Sequence, residues 1–196
     1  EYMHFILQRW RRLPQITVAA LNGFAVGGGA ELITTCDHRV AIEAAQVQFV
    51  HPKMGLSPGW GGGTRLTQII GRSRALRLLA SAQKVSALEG HELGLIDHVS
   101  DCTHAVYGAL EYIAPYFHPS SLNFGRNAVR GIKQVVHEAD NGPYQHTDAD
   151  FEESTTAKSL LHERRIFATL WGASENNHAL RQKFKGSNSL RDSDSK

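Results

Sequence analysis

The stretch that decides the fold is Gly23-Phe-Ala-Val-Gly-Gly-Gly-Ala-Glu-Leu-Ile-Thr-Thr-Cys-Asp37. It follows a short apolar run, Ile16 to Leu21, that has the length of a β-strand. Three glycines, Gly27–Gly29, then lead into residues 29–36, whose apolar side chains have helical spacing. A glycine-rich turn lets a ligand approach the backbone, and the free N–H groups that begin a helix favour negative charge. The stretch therefore predicts a strand, an anion-binding turn and a helix.

Glu31 adds a carboxylate to this turn, because it lies in the first turn of the predicted helix. Backbone N–H groups can stabilise an oxyanion that develops during a reaction. A pair of such donors beside a carboxylate suits the chemistry of an enolate. The pattern thus indicates an enzyme that forms an enolate at the start of this helix.

Several further segments follow in order and share one resemblance. They are Asp37-His-Arg-Val-Ala-Ile42, Gln48-Phe49, Gly55-Leu-Ser-Pro-Gly-Trp-Gly-Gly-Gly-Thr-Arg-Leu66 and Glu89-Gly-His-Glu-Leu-Gly-Leu-Ile-Asp-His-Val99. Together with the glycine turn they resemble the crotonase (enoyl-CoA hydratase/isomerase) superfamily over roughly residues 14 to 100. The resemblance implies an α/β fold, the ClpP/crotonase spiral of β-β-α units. It also implies a C-terminal helical region through which the subunits form trimers.

The resemblance sets expectations about the organisation of the chain. Crotonase-like proteins carry several more strands before the position that matches Leu13, so we expect an N-terminally truncated fold. We expect the C-terminal part of the spiral core, with a pocket for a CoA thioester, in residues 1–100, and a helical oligomerisation region in residues 101–185. Residues 186–196 are rich in Ser, Asp, Lys and Arg, which predicts a disordered tail.

A second set of segments narrows the resemblance: Phe49-Val-His51, Met54-Gly55, Ser57-Pro-Gly-Trp60-Gly and residues 163–172. With these segments the chain resembles, within the superfamily, the ethylmalonyl-CoA decarboxylase family. The resemblance implies an acyl-CoA carboxy-lyase of fatty acid metabolism that acts on ethylmalonyl-CoA or methylmalonyl-CoA. Two alternatives stay open: an enoyl-CoA hydratase or isomerase, and a catalytically silent crotonase-fold subunit or fragment.

The resemblance also assigns catalytic residues. Gly28 matches the donor of one oxyanion-hole N–H, and the other donor belongs to an N-terminal loop of the Ala-x-x-x-Gly-x-Asp kind that this sequence lacks. We therefore expect the chain by itself to be impaired or inactive. Glu31 matches the first of the two glutamates of hydratases, while Lys53 occupies the position of the second. A charged lysine cannot accept a hydrogen bond, so simple hydration is disfavoured.

Decarboxylation makes fewer demands, because the departing carboxylate leaves an enolate behind without a base. His51 and Lys53 could orient that carboxylate. Decarboxylases of this kind often have Glu at the position of Lys53, so the chain departs from both patterns there. The expected lining of the substrate pocket is Ala25, Gly27, Trp60 and Gly61.

Other classes of function find little support. The net charge is only +2 over 196 residues, which gives no signal for nucleic acid or membrane binding. No apolar run approaches the ~20 residues that span a bilayer. Cys36 and Cys102 are the only cysteines, which argues against a disulfide scaffold and favours a reducing compartment. We predict the cytosol, with the mitochondrion as the alternative, and a homotrimer or hexamer as the assembly.

Two competing motifs fail on inspection. Gly55-Leu-Ser-Pro-Gly59 has the spacing of a nucleophile elbow, but Pro58 has no N–H to donate to an oxyanion hole. The His-Glu pairs that begin at His91, His137 and His162 lack the second histidine of a zinc motif. We therefore predict no metal site and no cofactor other than the coenzyme A that is part of the substrate.

Overall fold

The structure is a computed structural model that describes residues 2–116, 125–140, 155–174, 176–178 and 181, with only the backbone of residues 155–162. It divides into two compact units, Glu1–Pro115 and Tyr116–Lys196, which are described separately.

The first unit contains two three-stranded sheets. The first sheet is entirely parallel, with the order β1 (Val18–Leu21), β3 (His38–Ile42) and β6 (His98–Ser100). The second sheet has the order β2 (Phe24–Val26), β4 (Gln46–Gln48) and β5 (Lys84–Ser86). In it, β2 is parallel to β4, and β4 is antiparallel to β5.

The chain passes from one sheet to the other with each strand from β1 to β4. Asn22 and Gly23 alone join β1 to β2, and a helix follows β2 directly. This alternation is the β-β-α arrangement that the sequence predicts. It places the glycine turn after β2 at the end of a strand, beside the segment that follows the parallel strand β4.

Six helices accompany these sheets in the first unit. They are α1 (Tyr2–Arg11), α2 (Gly28–Ile33), α3 (Gly62–Ile70), α4 (Arg72–Ser81), α5 (Ala87–Leu93) and α6 (Ala105–Ile113). Short 3-10 helices occupy His51–Met54 and Ala114–Tyr116. Helix α5 begins with a capping box, because Ser86 accepts from the Glu89 N–H and the Glu89 carboxylate accepts from the Ser86 N–H.

The hydrophobic core forms between the sheets and helices α2 to α5. Its most enclosed large side chains are Phe49, Leu66, Leu95 and Ile96. Helix α2 runs through this core, since Ala30, Glu31 and Ile33 are all buried. The helix that begins at the glycine turn is therefore fixed by packing on several sides.

The structure differs from the sequence expectation at two strands and at the end of one helix. No strand was predicted for residues 24–26, and they form β2 because their backbone pairs with β4. Strand β5 was likewise unexpected and is held by pairing with β4. The predicted helix 29–36 already ends at Ile33, where the Thr34 hydroxyl turns back to the Glu31 carbonyl.

The second unit contains α7 (Arg126–Asp140) and α8 (Thr155–Leu170), which pack closely. A Cβ on Gly131 would lie 2.8 Å from Ile166 Cγ2 and 3.0 Å from Leu170 Cδ1, so this glycine sets the approach of the helices. The predicted tail, residues 186–196, lies outside the described residues. Within the described part of the chain, no helix has the length and apolar character needed to cross a bilayer.

Candidate active site

The site is centred on the carboxylate of Glu31, whose residue is only 2% exposed. Its Oε1 accepts from His51 Nε2 at 3.0 Å and from the Gly59 N–H at 3.3 Å. Its Oε2 accepts from the N–H groups of Trp60 at 2.8 Å and Gly62 at 2.9 Å. A carboxylate offers about four lone-pair positions, so these donors occupy its full acceptor capacity. Burial of the charge is thereby compensated.

Glycines make this arrangement possible. Gly61 has a φ of 85°, in the left-handed region that favours glycine, and turns the chain into α3. A Cβ on Gly62 would come within 2.8 Å of Glu31 Oε2, so a side chain there would displace the carboxylate. The glycine run at residues 61–63 therefore brings backbone donors onto Glu31.

Arg65 holds the same loop from its other side. Its Nε donates to Thr34 Oγ1 at 3.0 Å, and its Nη2 donates to the carbonyls of Glu31 at 3.2 Å and Trp60 at 3.0 Å. Burial, and to a smaller extent the nearby Arg11, lower the pKa of Arg65 to about 10, against the opposing effect of Glu31. Arg65 thus remains protonated at neutral pH and fastens the end of α2 to the loop.

His51 is buried beside Glu31 at the start of the 3-10 helix. Its Nε2 contacts the carboxylate, while its buried Nδ1 finds no hydrogen-bond partner among the described residues. A buried ring nitrogen of this kind is available to a ligand or a bound water. The prediction that His51 lies at the site is therefore supported by its position, and its role stays a prediction.

Trp60 and Gly28 lie against each other. A Cβ on Gly28 would be 2.7 Å from two atoms of the Trp60 ring, Cη2 and Cζ3. The indole therefore rests on the Gly28 backbone, which has room for it only because residue 28 has no side chain. Gly28 begins α2, where N–H groups have no acceptor within the helix.

The remaining predicted residues surround this centre. Ala25 is buried in β2, and Gly27, with φ 55° and ψ −117°, donates its N–H to the Gln48 carbonyl at 2.9 Å. The Gly27 N–H is thus used within the fold and is not free for a substrate. Lys53 is exposed, two residues after His51 in the 3-10 helix. The structure accordingly brings together Gly28, Glu31, His51, Trp60 and Gly61.

Four residues of the site carried no predicted role: Thr34, Gly59, Gly62 and Arg65. A signal for Arg65 exists in the sequence, because it shares the helical stripe of α3 that includes the buried Leu66 and Ile70. A charged residue on a buried stripe indicates a structural or functional partner. The requirement for glycine at residue 62 depends on its distance from Glu31 in the fold, which no local pattern shows.

The chemistry that this site can perform depends on which hydrogen-bonding groups already have partners in the fold. Glu31 is a saturated acceptor that fixes the loop, whereas the start of α2 presents N–H groups that favour negative charge. A thioester oxygen that gains charge would be stabilised there.

Known proteins of one enzyme family are similar to this chain in sequence. The profile of the Enoyl-CoA hydratase/isomerase family matches residues 3–162. The chain is 40% identical over 189 residues to the ethylmalonyl-CoA decarboxylase of Danio rerio, covering 94% of the chain and 57% of that protein. It is 33% identical over 187 residues to the human ethylmalonyl-CoA decarboxylase, covering 94% of the chain and 55% of that protein. The chain thus spans little more than half the length of these relatives.

Solved structures give a matching fold. An enoyl-CoA hydratase from Polaromonas sp. JS666 superposes with a TM-score of 0.76 at 26% identity, covering 94% of the chain and 65% of that structure. A Thermobifida fusca YX protein assigned as an enoyl-CoA hydratase, solved with acetoacetyl-CoA, superposes with a TM-score of 0.67 at 25% identity. That match covers 85% of the chain and 59% of the structure.

Proposed function

Because the chain belongs to the enoyl-CoA hydratase/isomerase family, we propose that it is part of an acyl-CoA carboxy-lyase that decarboxylates ethylmalonyl-CoA or methylmalonyl-CoA. The reaction passes through a thioester enolate that is stabilised at the start of α2. The proposal concerns the whole protein, of which this chain carries the Glu31 site.

One observation carries the choice of decarboxylation over hydration. Both oxygens of Glu31 are occupied by two donors each. By the family resemblance, Lys53 takes the position at which hydratases have their second glutamate. Adding water to an enoyl thioester requires a group that accepts a proton from the water. Neither a saturated carboxylate nor a charged lysine has an acceptor position to spare.

Decarboxylation avoids this requirement. The bond between the α-carbon and the carboxylate breaks, its electron pair forms the enolate, and CO₂ leaves. The Gly28 N–H stabilises the charge on the thioester oxygen, together with the second donor of the oxyanion hole. A general acid then delivers a proton to the α-carbon. Loss of one oxyanion donor costs on the order of 3 kcal/mol of transition-state stabilisation in other enzymes.

His51 and Lys53 are the groups that we assign to the leaving carboxylate. In its doubly protonated form His51 keeps its Nε2–H on Glu31 and offers its Nδ1–H to the carboxylate, and Lys53 offers an exposed ammonium two residues further on. A cation that bound the carboxylate very tightly would stabilise the ground state and slow its loss. Their proposed role is therefore orientation. Ala25, Gly27, Trp60 and Gly61 form the surrounding wall.

The named relatives support the substrate. Ethylmalonyl-CoA decarboxylases from fish to human match more than nine-tenths of the chain. The complex of the Thermobifida fusca protein with acetoacetyl-CoA supports an acyl-CoA thioester as the ligand. We further propose a homotrimer or hexamer and a location in the cytosol, with the mitochondrion as the alternative.

The hydratase alternative is kept because solved structures of enoyl-CoA hydratases share the fold. A third possibility is a catalytically silent crotonase-fold subunit. One experiment separates the three. The full-length protein is incubated with ethylmalonyl-CoA and, in parallel, with crotonyl-CoA, and butyryl-CoA, released CO₂ and 3-hydroxybutyryl-CoA are measured.

We expect butyryl-CoA and CO₂ in equal amounts and little hydration. Faster hydration of crotonyl-CoA would favour the hydratase, and no turnover of either thioester would favour the silent subunit. Arg77→Lys is a control variant that should turn over both thioesters like the wild type, since Arg77 is exposed on α4, outside the Glu31 site.

A further inference from the structure

We propose that Trp60 is the specificity-determining residue of this site, whose indole ring forms the wall that limits the α-substituent of the acyl group to a short alkyl chain. The inference rests on the proposed function, because it names the part of an acyl-CoA that meets this ring.

The backbone of Trp60 is held on both sides by buried charged residues. Its N–H donates to Glu31 Oε2 at 2.8 Å, and its carbonyl accepts from Arg65 Nη2 at 3.0 Å. Glu31 and Arg65 are each 2% exposed. A residue whose N–H and carbonyl are both fixed in this way cannot shift without breaking a charge-assisted hydrogen bond. The backbone position from which the indole extends is therefore fixed.

The ring itself lies over the start of α2. Its six-membered edge occupies the place that a side chain at Gly28 would take, 2.7 Å from the ideal Cβ position. Trp60 as a whole residue is half-buried. A thioester whose oxygen meets the Gly28 N–H would therefore have its neighbouring atoms beside this ring.

Those neighbouring atoms are the sulfur on one side and the α-carbon on the other. Residues 59–62, the loop that carries Trp60, donate backbone N–H groups to the Glu31 carboxylate. Glu31 lies three residues after Gly28 on α2, and the family resemblance places its carboxylate near the reacting carbons of the substrate. The ring is thus on the acyl side of the thioester. An indole in that place accepts a short branch and excludes a longer one.

The size of the effect follows from how proteins discriminate alkyl groups. One methylene in an apolar pocket changes kcat/KM by roughly 10-fold to 200-fold. Removal of the indole should therefore allow longer branches and reduce the preference for short ones. The change should appear in the ratio between substrates rather than in one rate alone.

The test uses the full-length protein with Trp60→Ala and Trp60→Phe, and Trp10→Phe as a matched control, since Trp10 lies 45% exposed on α1. The values of kcat/KM are measured for methyl-, ethyl- and butylmalonyl-CoA. The dissociation constants of the unreactive butyryl-CoA and octanoyl-CoA are measured by calorimetry. Circular dichroism reports whether each variant folds.

We expect Trp60→Ala to raise the ratio of butylmalonyl-CoA to ethylmalonyl-CoA turnover on the order of 10-fold, with a parallel shift in the ratio of octanoyl-CoA to butyryl-CoA affinity. Trp60→Phe should change both ratios in the same direction by less, and it decides the question if Trp60→Ala does not fold. Ratios within about twofold of the wild type in a folded variant would overturn the inference.

Failure of the proposed function is distinguishable from failure of this inference. If the wild type does not decarboxylate but the affinity ratio shifts in the Trp60 variants, the ring limits the acyl group of a different reaction and the inference stands. If the wild type decarboxylates and neither ratio shifts, the inference alone is wrong.

Discussion

The main-chain N–H of Gly62 donates to Glu31 Oε2 over 2.9 Å, and no side chain fits between the two residues. A Cβ on Gly62 would lie 2.7 Å from Glu31 Cβ and 2.8 Å from Oε2. The first turn of α3 therefore packs directly against the Glu31 carboxylate of α2. The two helices are joined by this contact because residue 62 is glycine.

Gly62→Ala should destabilise the protein, because the added methyl group overpacks a buried contact. Overpacking of this kind costs typically about 1–3 kcal/mol. The free energy of unfolding is measured by urea denaturation. Gly63→Ala is the matched control in the same helix, since its Cβ would meet Pro58 and Leu79 at 3.6 to 3.7 Å, an ordinary contact. Equal stability of the two variants would contradict the proposed contact.

Glu31→Gln should lower both stability and turnover. A glutamine amide has one acceptor oxygen, and its NH₂ group would face two of the N–H donors that now bind the carboxylate. An unsatisfied buried polar group costs about 1–3 kcal/mol. Urea denaturation and kcat/KM for ethylmalonyl-CoA are measured on the full-length protein. Glu43→Gln, at an exposed carboxylate, is the control. An equal loss of stability and of kcat/KM in Glu43→Gln would show that the hydrogen bonds of Glu31 contribute to neither.

The glycine turn shows how much the sequence alone could predict. The family resemblance drawn from Gly27–Gly29 and the later segments is confirmed, and the α/β crotonase fold is observed. The positive φ of Gly27 and the start of α2 at Gly28 follow from local rules about glycine and helix ends. The Ser86–Glu89 capping box is a local pattern of the same kind and is present.

The backbone N–H donors to Glu31 could not be predicted in this way. Gly59, Trp60 and Gly62 lie 28 to 31 residues further along the chain. Their N–H groups meet the carboxylate only because α2 and α3 pack together in the folded unit. A short strand such as β2 depends likewise on its pairing with β4 and has little signal of its own.

Stability should depend on pH through Glu89. The hydrogen bonds from the Ser86 backbone and side chain lower the pKa of the Glu89 carboxyl below its usual value. A depressed pKa in the folded state means stabilisation that is present above the unfolded pKa near 4.5 and is lost as the pH falls through the folded value. Glu89→Gln keeps a capping residue but removes the charge. The difference in unfolding free energy between wild type and Glu89→Gln should therefore be present at pH 7 and vanish in acid.

This comparison requires denaturation curves at pH 7 and well below pH 4.5. Glu43→Gln provides the reference, since Glu43 is exposed and outside the capping box. A Glu89→Gln difference that is independent of pH would mean that the charge of Glu89 does not contribute to the cap.

Residues of the second unit should make subunit contacts in the assembled protein. Ile132 and Val136 on α7 and Phe167 on α8 are each about 60% exposed, as is Trp171 just after it, and the rings of Phe167 and Trp171 stack at 5.4 Å. Exposed apolar groups of this kind mark interaction sites. Light scattering of the full-length protein should give the mass of a trimer or hexamer, and Phe167→Asp should shift it towards the monomer. A monodisperse wild-type monomer at micromolar concentration would contradict this prediction.

Lys53→Gln should weaken the binding of thioesters that carry a free carboxylate and leave other thioesters unaffected. An exposed ion pair contributes about 0.2–1 kcal/mol, so KM for ethylmalonyl-CoA should rise by no more than roughly fivefold. The inhibition constant of butyryl-CoA, which lacks the carboxylate, should not change. Salt screens exposed charges, so the rise in KM should shrink at about 0.5 M ionic strength. An equal change for both thioesters would mean that Lys53 contacts the CoA portion and not the leaving carboxylate.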